Sequence, residues 1–143
     1  MSKEAPSMAS RPIAYGHKIP ISKTQVFWDK LKEGKIFATR CKKCKELYYP
    51  PQTDCPRCLS SGVEWTELDN TVTLETYTHV QVKPQGFTQY DPYTIAIGRT
   101  KDGAKVMGWL EQEKPEVGME LRMTTKTLHD GYLVIVFTSK EEA

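Results

Sequence analysis

From residue 71 onward, apolar or β-branched side chains recur at every second position: Val72, Leu74, Thr76, Thr78, Val80 and Val82. A period of two places them on one face of a strand. Lys83-Pro84-Gln85-Gly86 breaks the run, and residues 87–92 read as a loop. Further strands are predicted at 93–99, 105–111, 119–128 and 132–138, with tight hairpin turns at Asp102-Gly103 and Asp130-Gly131. Five strands in about seventy residues leave no room for a crossover helix. Five short antiparallel strands of this length suit a closed barrel of the OB type, with a small sandwich as the alternative.

Upstream, the period changes. Phe27, Leu31 and, nearby, Trp28 share one face of a helix that Ser22 is placed to cap and Gly34 to end. Two adjacent aromatics cannot both be buried on one narrow stripe, so one should pack and the other should face a partner. Short strands follow at Ile36-Phe37-Ala38-Thr39-Arg40, at Leu47-Tyr48-Tyr49 before Pro50-Pro51, and at Val63-Glu64-Trp65. The organisation read from the chain is an arm at 1–21, rich in Pro, Ser and Ala, a helix at 22–34, a ribbon at 35–68 and a barrel at 69–143. The whole is mainly β.

The ribbon carries all 4 cysteines of the chain, as Cys41-Lys42-Lys43-Cys44 and Cys55-Pro56-Arg57-Cys58. Two CxxC knuckles at this spacing can converge four thiolates on one soft cation. Zinc is the expected metal, and a tetrathiolate cage also accepts iron. Two disulfides are the competing reading, but they need an oxidising compartment. Residues 1–22 contain no apolar signal core and no run of eighteen apolar residues occurs, so a cytoplasmic protein without a membrane span is expected. Four filled coordination positions leave none for water, which makes the metal structural.

The net charge of +2 names no partner, but its distribution is uneven. Residues 35–58 carry Lys35, Arg40, Lys42, Lys43, Lys45 and Arg57 against Glu46 and Asp54, whereas the barrel segment is slightly acidic. Catalytic constellations are missing. His17, His79 and His129 are scattered, no nucleophile elbow or phosphate loop is present, and no carboxylate pair stands out. The chain is therefore read as a non-enzyme. Phe87 and Tyr90, in a loop long for a hairpin, either contact a ligand or fold back on the barrel. A ribbon joined to an OB barrel is also used to hold nucleic acid, which is the alternative function.

Taken together, Phe27-Trp28-x-x-Leu31-x-x-Gly34-Lys35, Arg40-Cys41-x-x-Cys44, Tyr49-Pro50-Pro51, Cys55-Pro56-x-Cys58 and Glu64-Trp65 resemble the DUF35 family. Tyr93-x-Ile95-Ala96-Ile97, Gly108-Trp109-Leu110 and Val117-Gly118-Met119 are similar to that family's barrel. The resemblance spans roughly residues 20–138 and points to an archaeal, Sulfolobus-like member. It implies a helical segment, a rubredoxin-like zinc ribbon and a C-terminal OB-fold. It further implies a non-catalytic accessory or scaffold subunit that binds acyl-CoA, or its pantetheine arm. The implied partners are a thiolase-like or hydroxymethylglutaryl-CoA synthase-like enzyme, or hydratases and aldolases in bacteria. Lys45 departs from the family pattern, where glycine is usual, at an expected small cost to turn geometry. Coenzyme A needs a few basic groups for its phosphates and an apolar slot for its arm. Arg40, Lys42 and Lys43 are candidates for the first, and Phe27, Trp28, Phe87 and Tyr90 for the second.

Overall fold

A computed structural model describes residues 4–140, so three residues of the expected arm and three of the expected barrel lie outside the described part. Residues 4–21 belong to no helix or strand and are exposed throughout. The helix α1 spans Gln25–Lys32 and buries Phe27 and Leu31. Its N-cap is Thr24, which makes no side-chain cap bond, so Ser22 does not cap the helix. Instead, the Thr24 N–H bonds the Ile21 carbonyl at 3.0 Å and a turn precedes the first helical residue. Gly34 does end it. With φ of 79° it lets its own N–H reach Leu31 O and the Lys35 N–H reach Lys30 O, the paired bonds of a Schellman motif.

Two sheets follow. The ribbon sheet has the order β2-β1-β3, with β1 at Phe37–Cys41, β2 at Leu47–Tyr48 and β3 at Val63–Glu67. The barrel comprises β4 (Thr71–Val80), β5 (Tyr93–Thr100), β6 (Lys105–Glu111), β7 (Glu120–Thr127) and β8 (Leu133–Ser139). It closes in the order β4-β5-β6-β8-β7, so the architecture is a barrel and not a sandwich. The strands are not all antiparallel. β6 and β8 run parallel, through Trp109–Val136, Leu110–Phe137 and Glu111–Thr138. The chain passes through β7 between them, which provides the length that a parallel pairing requires.

The period-two stripe of β4 does not persist. A bulge between Leu74 and Thr76 shifts the register, so Val72 and Leu74 point inward whereas Thr76 and Thr78 are exposed. Val82 lies beyond the strand and faces solvent. One extra residue in a strand reverses which face each later side chain takes. The two Asp-Gly turns are three-residue connections. The Thr100 N–H bonds Ala104 O and the Leu128 N–H bonds Tyr132 O, with Gly103 and Gly131 at φ of 88° and 87°. That is a type I turn closed by a glycine bulge.

Val72, Leu74, Val106, Leu121 and Phe137 fill the barrel, and Phe27, Leu31, Ile36, Ala38 and Leu68 join the same apolar cluster. Helix, ribbon and barrel thus share one core. Thr125 Oγ1 donates to Leu31 O at 2.8 Å, and the Leu68 N–H bonds Ile36 O at 2.9 Å across the junction.

Candidate metal centre and binding site

The four cysteine sulfurs lie within 4.8 Å of one another. Cys41 Sγ is 3.5 Å from Cys58 Sγ, and Cys44 Sγ is 3.5 Å from Cys55 Sγ. Zinc–sulfur bonds of about 2.3 Å put tetrahedral sulfurs roughly 3.8 Å apart, so the cluster suits one tetrahedral ion. The two knuckles are built alike. The Cys44 N–H faces Cys41 Sγ and the Cys58 N–H faces Cys55 Sγ, both at 3.5 Å. The Lys45 N–H bonds Cys41 O and the Leu59 N–H bonds Cys55 O, both at 2.9 Å. These last bonds require Lys45 and Leu59 to adopt φ of 65° and 60°, a left-handed conformation that side-chain-bearing residues reach only at a cost. The departure from glycine at Lys45 therefore does strain the turn.

A neighbour that sequence reasoning missed is Tyr48, whose hydroxyl lies 3.2 Å from Cys55 Sγ. Chiefly through that hydroxyl, the Cys55 thiol is pulled down to about 6, and the hydroxyl itself is pushed up to about 12. The Glu46 backbone N–H lowers Cys44, but burial and the surrounding sulfurs outweigh it and leave Cys44 at about 11. The strand position held the clue to Tyr48, because it pairs with Thr39, two residues before Cys41.

The candidate ligand residues separate into three places. Phe27 is only 8% exposed, while Trp28 is 45% exposed and meets Phe27 edge-on at 5.1 Å. One aromatic packs and the other is left outward, as its position on the stripe requires. Both line an apolar groove of about 310 Å³ with Leu31, Ile95, Met107, Trp109 and Ile135. Phe87 and Tyr90 fold back. They belong to a chain of rings in which Phe87 meets Tyr90 at 5.6 Å, Tyr90 meets Trp109 at 5.6 Å, and Tyr93 stacks on Trp109 at 4.7 Å. Tyr90 also donates its hydroxyl to Asp130 and contacts the His129 ring at 5.4 Å, tying the 81–92 loop to the β7–β8 turn. Beside these rings lies a second cavity of about 390 Å³, with Lys126 and Glu111 paired at 2.9 Å on its wall. Trp109 lines both cavities.

The basic candidates lie elsewhere. Arg40 Nη1 donates to Lys45 O at 2.8 Å within the ribbon. Lys42 faces a third cavity with Lys23, Asp54 and Trp65, and Lys43 is exposed. None of these three lines either aromatic cavity. Tyr93 and Trp109 were not singled out by the sequence, and alternation in β6 is the signal that could have found Trp109. In β6 the buried positions are Val106, Gly108 and Leu110, which leaves Met107 and Trp109 on the other face.

A four-cysteine ribbon fused to a five-stranded OB barrel defines the class of protein. The family model described as the ChsH2 rubredoxin-like zinc ribbon domain matches residues 28–64, and that of the ChsH2 C-terminal OB-fold domain matches residues 65–126. A DUF35 domain-containing scaffold protein of Methanocaldococcus jannaschii is 31% identical over 108 residues, covering 72% of this chain and 77% of the relative. A protein of the same description from Pyrococcus furiosus is 31% identical over 93 residues, covering 62% of this chain and 68% of its own. A probable enoyl-CoA hydratase alpha subunit of Thermomonospora curvata is 25% identical over 82% of this chain but only 38% of its own length. The solved Ltp2-ChsH2(DUF35) aldolase shares the fold, with a TM-score of 0.71 at 23% identity over 80% of this chain and 92% of that one. A DUF35 protein of unknown function from Sulfolobus solfataricus aligns with a TM-score of 0.56 at 19% identity, over 81% and 84%. The chain belongs to the DUF35 family.

Proposed function

We propose that this protein is a non-catalytic scaffold subunit of an acyl-CoA enzyme complex, with a thiolase-like or hydroxymethylglutaryl-CoA synthase-like partner. The observation that carries the reading is its 31% identity to two archaeal proteins described as DUF35 scaffold proteins. The enoyl-CoA hydratase relative favours acyl-CoA chemistry in the partner. Cys41, Cys44, Cys55 and Cys58 would hold a structural zinc, whose closed tetrathiolate supplies rigidity and no reactive water.

The acyl-CoA arm would lie along the outer face of β5 and β6. In OB barrels the second and third strands, with the loops after the first and fourth, are the usual ligand face. Phe87, Tyr90, Tyr93 and Trp109 occupy that face here. The apolar groove beside Phe27 and Trp28 is of a size for a thin uncharged arm. Arg40, Lys42 and Lys43 would meet phosphate only where the ligand extends to the ribbon.

The same aromatic face favours a second reading, nucleic-acid binding, because bases stack on such rings. The slightly acidic barrel segment counts against it. Affinity capture with tagged protein from native lysate, with and without nuclease, separates the two. Thiolase or synthase subunits that survive nuclease support the scaffold. Nucleic-acid proteins that vanish with nuclease overturn it.

A further inference from the structure

The exposed arm carries a pattern of its own. Ile13, Tyr15, His17, Ile19 and Ile21 occupy alternate positions, and between them lie Ala14, Gly16, Lys18 and Pro20. Ile13, Tyr15 and Ile19 are 72%, 80% and 73% exposed. Tyr15 and His17 stack with parallel rings, their centroids 6.3 Å apart. Two residues of a β-strand span about 6.6 Å and project to the same side, so this part of the arm is drawn out like a strand. Its apolar residues form one stripe that nothing among the described residues covers.

The prolines follow the same parity. In an extended chain, the N–H and C=O of one residue point to one edge and those of the next residue to the other. Pro12 and Pro20 both fall at even positions, so the missing N–H groups belong to a single edge. The odd edge keeps every donor, and it belongs to the residues that carry the apolar stripe. This is the design of an outermost strand, with one edge paired, the other facing water and one face apolar. The Thr24 N–H bond to Ile21 O anchors the arm where it meets α1.

We propose that residues 12–21 add as an edge strand to an open sheet edge of the partner enzyme, laying Ile13, Tyr15 and Ile19 on its apolar face. The proposal rests on the scaffold reading and names the contact by which the scaffold docks. Main-chain bonds along the odd edge supply affinity and the alternate side chains supply specificity. Arg11 and Lys18 favour a partner edge flanked by acidic side chains.

Proline scanning tests it. His17→Pro removes a donor from the odd edge, and Gly16→Pro adds a proline to the even edge that already carries two. The arm lies outside both sheets, so both variants keep their zinc and their circular dichroism. The probe is the acyl-CoA enzyme that full-length protein captures, identified by mass spectrometry and then purified. Strand addition predicts that His17→Pro weakens its binding about tenfold or more, while Gly16→Pro leaves it nearly unchanged. Equal effects of the two variants, or none, overturn the strand and leave the scaffold reading standing. A chain that dimerises alone, and becomes monomeric on His17→Pro, shows that a second copy takes the arm and also overturns it. Failure of full-length protein to capture any acyl-CoA enzyme overturns both readings together.

Discussion

Lys45 and Leu59 stand at the same place in their knuckles, each directly after the second cysteine, with φ of 65° and 60°. Each N–H closes the turn onto the first cysteine's carbonyl. A side-chain-bearing residue in this conformation is strained by roughly 1–2 kcal/mol, and glycine avoids that while adding about 0.5–1 kcal/mol of unfolded-chain entropy. Lys45→Gly and Leu59→Gly should each stabilise the metal-loaded protein by up to about 1 kcal/mol. Leu59 is 85% exposed, so its side chain forfeits little. Thermal melts with zinc in excess check this, and a lowered midpoint in both variants would refute it.

Removing a ligand should collapse the ribbon. Cys41→Ser or Cys58→Ser is expected to cost several kcal/mol, because binding energy of a structural metal is folding energy. Unchanged metal content and melting curve would contradict this. Tyr48→Phe leaves all four sulfurs but takes the hydroxyl from Cys55. Loss of such a partner typically weakens a metal site about 10–100-fold, readable by competition with a chromogenic chelator. Metal retention should also fall with acid, since the sulfurs bind as thiolates.

Two barrel glycines are fixed by close approach. A Cβ on Gly98 would stand 2.9 Å from Val72 Cβ, and one on Gly108 would stand 2.8 Å from Ile135 O. Both would also press on the Phe137 ring, which is fully buried. Gly108→Ala should cost about 1–3 kcal/mol, measured by denaturant unfolding. The backbone carbonyl in its way cannot rotate aside as a side chain can. A loss near zero would mean that β6 and β8 separate easily.

The Tyr90–Asp130 contact gives the 81–92 loop a pH dependence. The Tyr90 hydroxyl is the main influence holding the Asp130 carboxyl below its ordinary value, and in return Asp130 raises Tyr90. For the carboxylate, stability is present above about pH 4 and is lost as pH falls through the lowered value. For the phenol, stability is present below about pH 10 and is lost as pH rises through the raised value. The loop should thus be best ordered between these limits. Tyr90→Phe should flatten the dependence in the fluorescence of Trp109, against which Tyr90 packs. A profile identical to that of the unmodified protein would discount the contact.

Local chemistry was readable along the chain. The CxxC pairs announced a metal site because thiolate spacing alone decides which sulfurs can meet. Gly34 announced the helix end, and most strands of the barrel were visible as alternation. Pairing was not local. That β6 joins β8 in parallel depends on barrel closure, which no window of residues contains. The bulge after Leu74 reversed a face that alternation alone had assigned. Tyr48 came to Cys55 because β2 folds beside β1, and Phe87 came to Tyr93 and Tyr90 to Trp109 because a loop folds back over β5 and β6. The sequence by itself determined which four cysteines could meet, the strand count and the family resemblance, since these follow from spacing and period. The tertiary structure decided which aromatics share a surface and which lysines stay apart from it, because contacts between distant residues depend on how the sheets close and dock.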